Sequence, residues 1–401
     1  MFAGKVRVRV NGCVMRVQRR TIRIGTAALA VAAAALTVGC KSDGAMGGGL
    51  AATGPAKAHY RVAMPVPAVH PRPQAPQALQ ATLTALTAQF GGKVGIAVQS
   101  VNEGWTAHSH GNLYLPQQSV SKLWVAMTML DAVDRGQLRL SDPITVTRDD
   151  LTVFHQPIAM LALKADGYHT TIGDLDYRAL TTSDNTANDR ILRAAGGPRA
   201  TEAMFARKGI VGIRPGPNEK LKQAATAGLT WKPEYSMAGA FKDARARLPH
   251  DVREAAFDAY VADPSDGAQP DAIVDTLARL VRGELLSPAS TRWLLATMAD
   301  CKTGWARLKY PLPDDWQIAH KTGTGQDFAG RTAGFNDVGI LTAPDGRMYT
   351  VAVMIGDGTQ SVREKQKLIQ DVTRAIVASN RERPMVVAQQ DDARAGGHGA
   401  N

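Results

Sequence analysis

The sequence predicts an α+β fold: an antiparallel sheet formed by both termini of the mature domain and flanked by helices, plus a mainly helical subdomain. Three observations predict it. Apolar strand-like segments lie near both ends of a body spanning residues 77–381, and helical patterning fills the stretch between them. The 401 residues are 44% apolar and 21% charged, enough apolar surface for a large core and too little charge for a mainly disordered chain. No internal repeat interrupts this plan.

The first forty residues read as an export signal. Lys5, Arg7, Arg9, Arg16, Arg19, Arg20 and Arg23 precede an apolar run from Ala27 to Val38, with no acid among residues 1–39. That run is shorter than the roughly 20 residues that span a bilayer, which favours a cleavable signal over a permanent membrane helix. Arg19-Arg20-Thr21-Ile22 also permits a twin-arginine route, and Met15 is an alternative start. Cys40 ends the run after Val38-Gly39, where bacterial lipoproteins carry their lipidated cysteine, although Thr37 departs from that pattern. Lipidation at Cys40 and simple cleavage nearby both stay open. The expected location is the periplasm, with Cys40 as the anchor if it is lipidated.

The seven signal cations account for most of the formal charge of +11, leaving +4 on the rest. So mild an excess does not argue for a nucleic-acid partner. Cys13 and Cys40 belong to the signal, so Cys301 is alone in the body and no intramolecular disulfide is expected. Cys301 itself reads as a small buried hydrophobe without catalytic context.

Residues 41–76, rich in Gly, Ala and Pro, form a tether that ends in Pro71-Arg72-Pro73-Gln74-Ala75-Pro76. Leu79, Leu83, Leu86 and Phe90 then line one helical face, stopped by Gly91-Gly92. Strands are expected over Val94–Val101 and around Trp105–His110, followed by a helical region near 119–135 closed by Gly136. At the other end, Val338–Thr342 and Met348–Ile355 flank Pro344-Asp345-Gly346, a hairpin signal. Ser361 and Glu364 form a capping-box pattern before a helix that turns Val362, Leu368, Ile369, Val372 and Ile376 inward. Residues 382–401 are polar, Gly-rich and expected to be disordered.

Three short motifs carry the chemistry. Ser119-Val120-Ser121-Lys122 puts a lysine one turn from a hydroxyl, and serine is a poor nucleophile until a neighbouring base takes its proton. Ser183-Asp184-Asn185 alone reads as a turn or a helix cap. His320-Lys321-Thr322-Gly323-Thr324-Gly325 reads as a strand whose small residues let a ligand approach, with Lys321 offering a cation to a carboxylate. Each alone also fits a solvated helix face, a turn or a plain strand.

Taken in order, S-x-x-K, S-D-N and K-T-G resemble the motif set of class A β-lactamases and penicillin-binding proteins. Leu113-Tyr114-Leu115-Pro116, Thr171-Ile172-Gly173-Asp174-Leu175 and Phe335-Asn336-Asp337-Val338 extend the resemblance over roughly residues 77–380. It implies Ser119 as the acylated nucleophile and Lys122 as its proton partner. Ser183 would pass a proton to the leaving nitrogen, and Asn185 would bind the substrate amide. Lys321 and Thr322 would hold the substrate carboxylate within the Lys321-Thr322-Gly323-Thr324 strand, and the backbone N–H groups of Ser119 and Thr324 would form the oxyanion hole.

The family's β-lactamases also carry a glutamate that activates a water, roughly 35 residues after S-D-N in an E-x-x-L-N loop. Glu219 falls at that distance, but Glu219-Lys220-Leu221-Lys222-Gln223 has Leu one position early and Gln for Asn. Gln223 is a candidate to hold the water through its amide. Residues 224–264 look like an insertion, because Asp266-Gly267-Ala268-Gln269-Pro270, resembling the usual end of this loop, lies far downstream. Glu234, within that insertion, is the rival base.

Arg331 is a candidate to supplement Lys321, against a plain surface arginine. His108 and His110 share a strand face, but Asn112 stands where a zinc site would want Asp, so no metal or other cofactor is expected. The leading expectation is therefore a monomeric serine β-lactamase acting on small β-lactams. Two alternatives stay open: a D-alanyl-D-alanine peptidase or related hydrolase of peptidoglycan peptides, and a β-lactam-binding sensor module.

Overall fold

Leu79 and Leu83 of the helix Gln77–Phe90 are buried against a five-stranded antiparallel sheet, each stabilising the fold by about 1.5–3 kcal/mol. The structure is a computed structural model that describes residues 73–382. The export signal with Cys40, most of the tether and the tail after residue 382 lie outside the described residues. The strands run in the order 106–109, 93–100, 348–357, 335–342, 317–324, so both ends of the domain meet in one sheet. The expected α+β arrangement is the observed one.

The expected strands and hairpin are present. Lys93–Ser100 pairs with Met348–Asp357 from Lys93↔Asp357 to Ser100↔Tyr349, and Phe335–Thr342 pairs with Gln317–Thr324 on the far side. The strand near Trp105 is shorter than expected, Thr106–Ser109, and Leu86 and Phe90 are only half-buried. The Ser361–Glu364 capping box makes both of its bonds. Val362 corrects the expected inward face: it is exposed, because the first turn of Val362–Arg381 stands off the sheet while Leu368, Ile369, Val372 and Ile376 pack onto it.

One core lies between the sheet and the two terminal helices. A larger core fills the other side, around Lys122–Asp134. That helix is buried along 11 of its 13 residues, so S-x-x-K does not sit on a solvated face. The 224–264 segment contributes the end of the helix Glu219–Thr226, then the helices Ala240–Arg247 and His250–Ala262. Phe257 of the last packs 5.8 Å from Phe328, in the small hairpin that follows the 317–324 strand. Among the described residues no helix is long and apolar enough to cross a membrane.

Candidate active site

Ser119 stands in a 3₁₀ turn, Gln118–Ser121, and the α-helix proper begins at Lys122. Residues three apart eclipse in a 3₁₀ turn, which places Lys122 directly over Ser119. Lys122 Nζ lies 2.8 Å from Ser119 Oγ, 2.8 Å from Asn185 Oδ1 and 3.1 Å from Glu219 Oε1. Lys122 is 1% exposed, and burial lowers its pKa from the ordinary lysine value. Glu219 pulls against that effect and the like charge of Lys222 adds to it.

The S-D-N segment is a cap and more. Asp184 accepts from Ala187 N at 2.8 Å and starts the helix Asn185–Ala194, while Ser183 is held at φ 61°, a rare backbone for serine. Asn185 spans the site: its Oδ1 meets Lys122, and its Nδ2 donates to Val153 O at 2.9 Å.

The K-T-G strand forms the opposite wall. Lys321 Nζ lies 3.1 Å from Ser183 Oγ, and burial together with the Lys122 charge lowers its pKa to about 7. Thr322 Oγ1 is 2.6 Å from Thr303 Oγ1. Gly323 is required sterically: a Cβ there would lie 2.3 Å from Gln117 O, in the turn that presents Ser119.

Glu219 opens the helix Glu219–Thr226, capped by Asn218, whose side chain accepts from Leu221 N at 3.0 Å. Asp189 holds the same end, accepting from Glu219 N at 2.8 Å. Burial favours the neutral acid at Glu219, but the ammonium groups of Lys122 and Lys222 hold its carboxyl well below the usual carboxylate range. Gln223 Nε2 donates to Glu219 Oε2 at 3.3 Å and to Gln118 Oε1 at 3.1 Å, so its amide braces the carboxylate. Glu234 lies exposed on the turn Pro233–Ser236.

The structure thus gathers Ser119, Lys122, Ser183, Asn185, Glu219 and the Lys321–Thr324 strand at one locus. Arg331 is engaged elsewhere, paired with Asp357 at 2.8 Å and Asp258 at 2.7 Å. His108 Nδ1 sits 2.7 Å from Asp271 Oδ2, and His110 Nδ1 sits 3.1 Å from Val94 O.

Sequence reasoning missed two features. Arg307, in the segment Trp305–Lys309, bonds Thr324 Oγ1 and Gly323 O and lies 3.8 Å over the Phe335 ring, bringing a second cation to the K-T-G strand. No motif marks it. Cys301 is buried as expected, but its surroundings are not inert. Burial alone would raise its thiol, yet His320, held on Asp337 Oδ1 at 2.9 Å, brings the pKa down to about 7.

Fold and cluster define a serine hydrolase with a lysine beside its serine. A model of the beta-lactamase enzyme family matches residues 78–379. The extended-spectrum beta-lactamase PER-1 of Pseudomonas aeruginosa is 30% identical over 257 residues, 64% of this chain and 72% of that protein. A beta-lactamase of Streptomyces albus G is 26% identical over 363 residues, 90% of this chain and 96% of that protein. The solved structure of a beta-lactamase from Chitinophaga pinensis DSM 2588 matches with a TM-score of 0.63 at 27% identity, covering 75% of this chain and 99% of that one. An ancestral (GNCA) class A beta-lactamase matches at 0.59 and 29% identity, covering 75% of this chain and 99% of that one. The chain belongs to the beta-lactamase enzyme family.

Proposed function

We propose that this chain is a class A serine β-lactamase that opens the β-lactam amide through an acyl-enzyme on Ser119. Once Lys122 has given up its proton, which burial makes easier, its amine takes the Ser119 proton as Oγ bonds to the lactam carbonyl carbon. As the C–N bond breaks, the Ser183 hydroxyl passes its proton to the leaving nitrogen and takes back the proton that Lys122 received. Lys321, Thr322 and Thr324 hold the substrate carboxylate, and Asn185 receives the substrate amide. The backbone N–H groups of Ser119 and Thr324 stabilise the oxyanion, a contribution of about 3–4 kcal/mol per donor in enzymes generally. Glu219 then takes a proton from water as its oxygen attacks the ester, and that proton is returned to Ser119 Oγ as the ester C–O bond breaks.

One observation carries the hydrolytic reading. A buried, ionised glutamate stands 3.1 Å from Lys122 Nζ, beside the nucleophile. A peptidase or sensor would hold no dedicated base there. Glu219→Gln tests it: acylation stays fast and deacylation falls by about 10²–10⁴-fold, the usual scale for a positioned base. Intact mass then shows a stable penicilloyl adduct on the variant, while wild type turns over and Glu234→Gln behaves as wild type. Turnover of nitrocefin by Glu219→Gln at the wild-type rate would refute the assignment.

The same proposal takes the protein as exported to the periplasm and monomeric, with Cys40 available for a lipid anchor. The basic stretch and apolar run before Cys40 support export. Fractionation of cells expressing the full chain or its Cys40→Ser variant tests the anchor, which predicts membrane association for the first and release for the second.

A further inference from the structure

Two lysines face one oxygen of Glu219. Lys122 Nζ and Lys222 Nζ each lie 3.1 Å from Oε1, and the Lys222 side chain is 1% exposed. Lys222 reaches further, to Asp266 Oδ2 at 3.2 Å and to Gln118 O at 3.3 Å. Asp266 in turn accepts from Gln118 N at 2.9 Å, in the residue that precedes Ser119, and from the Tyr260 hydroxyl at 2.8 Å. A buried lysine is costly unless its charge is matched, and here two carboxylates match it.

The partners of the two lysines decide which keeps its proton. Lys222 has two carboxylates and a carbonyl. Lys122 shares one of those carboxylates, and its remaining acceptors, Ser119 Oγ and Asn185 Oδ1, are neutral. Two adjacent ammonium groups repel, so the less compensated one yields its proton first. We propose that Lys222 is a positioning residue for both chemical steps: a standing cation, held by Asp266, that keeps Glu219 ionised and frees Lys122 to act as the amine that receives the Ser119 proton. This rests on the reading of Glu219 as the deacylation base.

The charged groups facing the pair come from every packed element. Asp189 meets the backbone of Glu219 and Lys220 from the helix Asn185–Ala194, and Lys321 acts on Lys122 from the K-T-G strand. Asp266 and Tyr260 stand behind Lys222. None of these places a second cation on Glu219, so removing Lys222 leaves Lys122 as its single ammonium partner. Both Glu219 and Lys122 then hold protons to higher pH.

The test follows acylation and deacylation separately across pH, by rapid quench and intact mass with nitrocefin. The proteins are wild type, Lys222→Met, Lys222→Arg and the double variant Lys222→Met with Asp266→Asn. The double variant avoids stranding a buried carboxylate, so it reads the effect even where the single variant does not fold. Expected are upward shifts of about 1–3 pH units in the acid limbs of both rates for the Met variants, the range for loss of one close charge, opposite to Glu219 and like that of Lys122. Lys222→Arg follows the wild-type limbs. Folded Met variants whose limbs coincide with wild type, or whose rates drop by one factor at every pH, overturn the inference. Glu219→Gln separates the two failures: if it turns over, the parent reading falls, and if it stalls while the Lys222 limbs stay put, this inference alone falls.

Discussion

Lys122 Nζ lies 2.8 Å from Ser119 Oγ, and the lysine has almost no access to solvent. A lysine held in water would stay protonated and be useless as a base. Burial lowers its pKa while the 3₁₀ turn holds the two atoms in register. Of the two serines in S-x-x-K, Ser119 is the one so placed, since Ser121 Oγ donates instead to Gln118 O at 2.8 Å.

Ser119→Ala should therefore abolish covalent labelling by a fluorescent penicillin. Intact mass after incubation is the check. A penicilloyl adduct on the variant would take the nucleophile role away from Ser119.

Lys122→Ala should slow acylation by about 10²–10⁴-fold, the scale of general-base assistance. Pre-steady-state acylation rates measure it. A rate within a few-fold of wild type would move the base elsewhere. Deacylation is a separate readout, because Glu219 in this variant retains Lys222 as a cationic partner.

Lys321 predicts a pH dependence. Its pKa is lowered to about 7 by burial and by the Lys122 charge. Below that pH it is an ammonium that attracts a carboxylate, and above it the amine is neutral. For a β-lactam bearing a free carboxylate, kcat/KM should fall as pH rises through about 7, since this ratio reports the free enzyme. The corresponding carboxylate methyl ester should lack that alkaline fall. Equal profiles for acid and ester would count against Lys321 as the carboxylate partner.

Asp176 predicts a stability effect away from the site. It is fully buried with one donor, Trp293 Nε1 at 2.8 Å, and burial raises its pKa to about 7. Because the folded-state value is raised, its stabilising contribution is complete below the unfolded value near 4. That contribution is lost as pH rises through about 7. Asp176→Asn keeps an acceptor for Trp293 without the charge. It should stabilise the fold at pH 8 by roughly 4 kcal/mol, about three pKa units at about 1.4 kcal/mol each, and change little near pH 4. Thermal melts at the two pH values decide it; equal effects at both would refute the titration argument.

Much of the site was legible because its motifs are local. Ser119 with Lys122 and Lys321 with Gly323 are neighbours within a turn or a strand, where spacing in the chain becomes distance in space. Sheet strands and the Ser361–Glu364 box were legible for the same reason. The inward face of the last helix was read one turn too early, because periodicity says which residues align and not where the sheet begins to cover them. Val362 aligns and remains exposed. Arg307 was invisible, since no local pattern announces that its guanidinium will lie over Phe335.

The sequence by itself determined the chemical inventory: a hydroxyl with a lysine three residues on, a carboxylate at the right separation, and a small-residue strand led by a cation. Only the tertiary structure decided which way the pKa of each of those groups is pushed. Lysines from two helices converge on Glu219 and hold its carboxyl below the usual range, burial lowers Lys122, and Asp266, from a distant segment, pairs with Lys222. Burial raises the Cys301 thiol, but His320, paired with Asp337 on the neighbouring strand, brings it down to about 7. A pKa depends on burial and on charges within a few ångströms, and those are set by packing between elements far apart in the chain.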